Sequence, residues 1–150
     1  MNQLTSKETD NLWFRIPVQN RRIFIWVLWF ITWLGLLAGL FDHVYYEYVV
    51  IFSLFHTLLF ITLFKFRIIA FPVQVRIAYF IWVLVGTYVP YMLILLYITT
   101  IGLFTNLFLG YCPLARSLYL LPWNREEPFT FELIKRVTMS PPVSGQFKPQ

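Results

Sequence analysis

The sequence predicts an all-α, polytopic membrane protein: four transmembrane helices in two hairpins, followed by an interfacial helix in the tail. Three observations predict it. The 150 residues are 59% hydrophobic and 21% aromatic, with a mean hydropathy of +0.65. Only 13% are charged, against about 25% in ordinary soluble domains. The 12 Lys and Arg residues fall in just three segments, each beside an apolar run. A soluble domain of this size buries about 70% of what its unfolded chain exposes, so it cannot hide this much apolar area from water. The excess is expected to face lipid. That argues against a disordered chain, a soluble enzyme or a nucleic-acid-binding module.

The first span is expected over about 23–41 and the second over about 44–64. From Val75 to Gly110 no charge follows Arg76. As one helix this stretch would be about 54 Å long, too long for a hydrocarbon core of about 30 Å. Pro90 lacks a backbone N–H and pushes Val89 out of helical geometry, which divides the stretch into a short third span, about 75–88, and a fourth, about 91–110. A kinked or re-entrant single element is the competing reading. Charge decides between them. Lys7, Arg15, Arg21 and Arg22 precede span one, Lys65, Arg67 and Arg76 separate spans two and three, and Arg116, Arg125, Lys135, Arg136 and Lys148 follow span four. The turns at Asp42-His43 and Pro90 carry no basic residue. Basic segments stay cytoplasmic during insertion, which puts both termini and the middle loop inside and requires an even number of spans. The net charge of +5 then reflects topology and anionic headgroups rather than nucleic acid.

The domain organisation is a cytoplasmic segment over 1–22, a transmembrane domain over 23–110 and a cytoplasmic interfacial tail over 111–150. The polar stretch before span one does not read as a signal peptide. In the tail, 114–121 is expected to form a short interfacial helix ended by Pro122. A second, amphipathic helix over 129–137 suits a membrane surface, and the chain after Pro141 is expected to be extended. Tyr45, Tyr46, Tyr48, Tyr88 and Tyr91 mark one headgroup zone, and Trp13, Tyr111, Tyr119 and Trp123 the other. Trp26, Trp29 and Trp33 share one face of span one. With Trp123 they are the candidate docking residues for a partner, and packing bulk is the structural alternative.

Few residues carry candidate chemistry. His56 lies near the middle of span two, where an ionisable group is by default a functional candidate. It could be an axial ligand to haem or a pigment, a proton relay, or a neutral imidazole satisfied by Thr99 or Thr100 of span four. Asp42, His43 and Glu47 form a polar cluster at the outer turn, either a weak cation site or simple helix caps. His43 and His56 are about 20 Å apart along a helix, so no metal site is expected within one chain. Cys112, the single cysteine, is a candidate reactive thiol or an inert one at a helix exit. No phosphate-binding glycine loop or nucleophile elbow is present.

At Gly110-Tyr111-Cys112-Pro113-Leu114-Ala115-Arg116 and Pro122-Trp123-Asn124-Arg125 the chain resembles small bacterial inner-membrane proteins of unknown function. In these a helical hairpin is followed by a Gly-aromatic-Cys-Pro-Leu exit, sometimes by Pro-Trp-Asn, and some are fused to rhodanese-type sulfurtransferase domains. The match covers about 16 residues. The resemblance implies a bacterial inner membrane and sulfur chemistry at Cys112. This chain departs from the pattern in having no rhodanese domain and a second hairpin.

Together these features favour a non-catalytic accessory or structural subunit of a larger membrane complex, docking through aromatic helix faces and the tail, with membrane lipid and a complex partner or a second copy as neighbours. The alternatives are a small-solute transporter or channel acting as a homo-oligomer, and a haem- or pigment-binding subunit using His56.

Overall fold

The computed structural model describes residues 16–141. Lys7, Trp13, Arg15 and Lys148, and the extended segment expected after Pro141, therefore lie outside the described residues. Among the described residues the secondary structure is six α-helices and no strand: α1 (Val18–Phe41), α2 (Val44–Leu63), α3 (Phe71–Tyr88), α4 (Ile94–Leu109), α5 (Pro113–Tyr119) and α6 (Phe131–Met139). α1, α2 and α3 are long and apolar enough to cross a membrane. The 16 residues of α4 reach only about 24 Å. α4 qualifies as a span only together with α5, from which it is bent by 93°.

Local chemistry sets the boundaries. Pro17 fixes the entry to α1, which begins five residues before the apolar run (Val18 against Ile23), because polar side chains at a helix end can stay outside the apolar layer. Asp42 ends α1, and its Oδ1 accepts from the Val44 N–H at 3.1 Å, which starts α2. Glu47 lies in the first turn of α2, where the helix dipole favours a negative charge. α3 starts at Phe71 rather than Val75, since Pro72 in a first turn has no hydrogen bond to lose. It stops at Val89, held extended by Pro90. Tyr91 takes a left-handed turn at φ 66, so α4 begins at Ile94 and not at Tyr91. Gly110 (φ 67) ends α4 in the left-handed conformation that glycine adopts without steric cost. In the tail, Cys112 caps α5 and Thr130 caps α6, which moves both helices by one or two residues from their expected ranges.

α1 packs on α2 and α4, and α3 packs on the same two, so α2 and α4 sit diagonally across the bundle. A Cβ at Gly39 would fall on the Tyr46 ring, and this close approach brings the outer ends of α1 and α2 together. The main core joins Trp29, Leu36, Tyr46, Val49, Tyr79, Val83 and Leu96. α5 lies across the end of the bundle, and α6 packs Leu133 and Val137 onto Tyr119 beneath it. Every Lys and Arg among the described residues lies toward this end, while the other end carries Asp42 and Glu47.

Candidate functional site: a buried Arg–His layer and a docked tail

The polar centre of the bundle lies between α2 and α3. His56 is 2% exposed and Arg76 4%. Arg76 Nε donates to His56 Nε2 at 3.2 Å. That makes Nε2 the acceptor, so the neutral imidazole carries its proton on Nδ1. Arg76 Nη1 donates to the Pro72 carbonyl at 2.6 Å, which draws the guanidinium back toward the first turn of α3. Its Cζ lies 3.4 Å from the centre of the Phe60 ring and 5.7 Å from that of Trp29, in cation–π range. No carboxylate pairs with Arg76 among the described residues. Thr57 Oγ1 bridges the same seam, bonded to Ser53 O at 2.8 Å and Arg76 O at 3.2 Å.

Aromatic rings close the layer. Trp29 of α1 packs edge-to-face on His56 and on Tyr79, with ring centres 5.0 and 4.9 Å apart. Phe52 and Phe60 flank His56 along its own helix. One turn from Arg76 and one turn from His56 lie Tyr79 and Ser53. Both hydroxyls are buried without a hydrogen-bond partner among the described residues.

This geometry reassigns several residues. Thr99 and Thr100 bond the carbonyls of Leu95 and Leu96 in their own helix. They do not meet His56, because α4 is diagonal to α2. The partner of His56 is Arg76, which reads in the sequence as a loop cation. Of the tryptophan stripe, Trp29 is buried, Trp33 is partly buried and Trp26 remains exposed. Trp29 is 7% exposed. Trp33 packs on Phe104 and Phe108 of α4. Trp26 is 43% exposed, yet its Nε1 donates to Leu107 O at 3.3 Å. Asp42, His43 and Glu47 sit at the α1–α2 turn, where Asp42 caps the Val44 N–H and Glu47 lies in the first turn of α2, and the described residues hold no cluster of three potential metal ligands.

The tail is fastened to the bundle through Gln74, a residue with no sequence signal of its own. Gln74 of α3 accepts from Trp123 Nε1 at 3.3 Å and from Asn124 Nδ2 at 2.6 Å, and its own Nε2 donates to Ile69 O. The Pro122-Trp123-Asn124 motif thus docks on the start of α3. Arg116 is buried, stacks 4.0 Å from the centre of the Tyr111 ring, and donates to Val137 O, Ser140 Oγ and Pro141 O. It neutralises the carbonyl end of α6. A cavity of about 120 Å³ remains between α5 and α6, bordered by Tyr111, Arg116 and Thr138. Cys112 Sγ accepts from the Ala115 N–H at 3.4 Å. Burial pushes its thiol up, against the weaker pull of the Ala115 and Leu114 N–H groups and of Arg116 and Arg76. No protein-family model, curated protein or solved structure matches the chain.

Proposed function

We propose that this chain is a non-catalytic accessory or structural subunit of a larger bacterial inner-membrane complex, with four spans in two hairpins and both termini cytoplasmic. The observation that carries the reading is how the bundle uses its polar groups. His56, Arg76 and Thr57 are committed to one another, Cys112 caps a helix, and Trp123 and Asn124 fasten the tail. Meanwhile the windows of the three long spans are only 28–39% buried within the chain. Wide apolar faces remain for lipid and for neighbouring helices. The clustering of basic side chains at one end supports the topology, and the resemblance over 110–125 supports the bacterial inner membrane. Mild-detergent isolation of the tagged chain is the test: a partner at fixed stoichiometry is expected, and a chain that runs alone would refute the reading. Reporter fusions at Asp42 and Pro90 are expected to be periplasmic, and fusions at Arg67 and Gly145 cytoplasmic.

A second reading, small-solute transport by a homo-oligomer, is favoured by one observation. Among the described residues the Arg76 layer holds a cation without a carboxylate, beside the unpartnered hydroxyls of Tyr79 and Ser53. Solute flux in liposomes that survives His56→Ala unchanged would sink it. Haem or pigment ligation by His56 requires displacing Arg76 from Nε2. A purified protein without a visible absorption band would remove that reading.

A further inference from the structure

The loop between α2 and α3 closes its helix in an unusual way. Phe66 N–H bonds Ile61 O at 2.8 Å and Lys65 N–H bonds Thr62 O at 3.0 Å, the paired bonds of a Schellman turn. Such a turn usually places glycine in the left-handed position. Here Lys65 occupies it at φ 50, and Phe66 after it also takes a positive φ, 61. A bulky aromatic in this conformation is strained, and among the described residues no packing offsets it: Phe66 is 74% exposed and Ile69 79%. Between them the loop carries Arg67. Neither Lys65 nor Arg67 makes a side-chain hydrogen bond or ion pair among the described residues.

α6 lies at the same end of the bundle as this loop, one packed cluster away. Phe71, the first residue of α3 after the loop, packs against the cluster of Tyr119, Leu133 and Val137. With Leu133 and Val137 turned inward, Phe131, Lys135 and Met139 share the outer face, one turn apart. Phe131 is 83% exposed and Met139 75%. Both elements therefore show the same pattern: large apolar side chains interleaved with unpaired cations. This leaves no dry patch for a protein partner. It matches the headgroup boundary, where apolar side chains enter the acyl region and cations meet phosphate. The opposite end of the bundle offers Asp42 and Glu47 instead.

We propose that the 64–70 loop and the outer face of α6 form a binding site for acidic phospholipid. Phe66, Ile69 and Phe131 enter the acyl boundary, and Lys65, Arg67 and Lys135 hold the headgroup phosphate. The strained turn at Phe66 is then the means by which the loop inserts. The site rests on the bundle lying in a membrane but on no partner subunit. The test therefore uses the full chain alone, and its failure would leave the subunit reading standing.

The detergent-purified chain is equilibrated with equal amounts of phosphatidylglycerol and phosphatidylcholine, and bound lipid is counted by native mass spectrometry. At least tenfold preference for phosphatidylglycerol is expected. Lys65→Gln, Arg67→Gln and Lys135→Gln should each lower that preference about fivefold, with helix content unchanged by circular dichroism. Phe66→Ser should weaken retention of both lipids. Equal binding by the wild type, or a triple Gln variant that keeps the wild-type preference, would overturn the site. Millimolar inorganic phosphate should leave the bound lipid in place. Displacement by phosphate would mean that the groove takes a free oxyanion and not a lipid.

Discussion

Two of the seams between the long helices are built from different materials. The α2–α3 seam is polar at its centre: Arg76, His56 and Thr57 cross it, with the Phe60 ring over the guanidinium. The α1–α4 seam is aromatic: Trp33 sits between Phe104 and Phe108, and Trp26 contributes one hydrogen bond to Leu107 O. In lipid there is no hydrophobic driving force between helices, because acyl chains are as apolar as leucine. Association then comes from close packing, as at α1–α4, or from polar groups that would otherwise be stranded in hydrocarbon, as at α2–α3. The first kind tolerates sliding. The second fixes register, because Arg76 has its acceptor at one position only.

Substitutions can break this contrast, and the largest effect is expected at His56. His56→Leu leaves the buried guanidinium short of an acceptor and should cost about 3 kcal/mol, read as unfolding in mixed micelles. Arg76→Leu removes the charge along with its partner bond and should cost less, despite deleting the larger side chain. If the order is reversed, the polar seam works by packing alone. On the aromatic seam Trp33→Ala should cost about 2 kcal/mol, below the full value for a buried tryptophan, because Trp33 is partly exposed and lipid can fill part of the gap.

Tyr79→Phe sharpens the contrast by changing the other sign. Its hydroxyl is buried without a partner, so its removal should leave stability unchanged or raise it by up to about 1 kcal/mol. A clear loss would show that the hydroxyl is used. Trp26→Phe should cost about 0.6 kcal/mol, the typical value of a hydrogen bond between membrane helices. The smallest effect belongs to Cys112, where the chain turns from α4 into α5. Burial raises its thiol in the folded state, so its contribution is complete below the ordinary value of 9.0 and is lost as the pH rises beyond it. The stability of the wild type should therefore fall relative to Cys112→Ala above that pH, in parallel unfolding series.

Most helix positions were legible because their signals are local. Pro90 breaks the chain where its missing N–H and its clash with Val89 demand, and Gly110 ends α4 by adopting a left-handed φ. α1 and α3 start five and four residues before their apolar runs, since an apolar run ends at the first polar residue while a helix does not. The site was less legible. His56 stood out as a lone ionisable group, but pairing it with Thr99 and Thr100 presumed that spans two and four touch. In the sequence Arg76 reads as a flanking charge because it follows Lys65 and Arg67 in the chain. Its signal was available: a lone cation inside an apolar stretch, at the depth of a lone histidine in the preceding span.

The sequence by itself determined that this chain is helical, apolar enough for lipid, and divided at Asp42, Pro90 and Gly110. Hydropathy, proline and glycine act on their own neighbourhood, so no partner is needed to read them. It also placed the basic residues together, once the helices alternate in direction. Only the tertiary structure decided which helices adjoin. That single fact gave His56 an arginine instead of a threonine, buried Trp29 against His56 and Tyr79, and set Gln74 under Trp123 and Asn124. Side-chain contacts between helices depend on the arrangement of the bundle and on the direction each residue faces, and neither is written in any one segment.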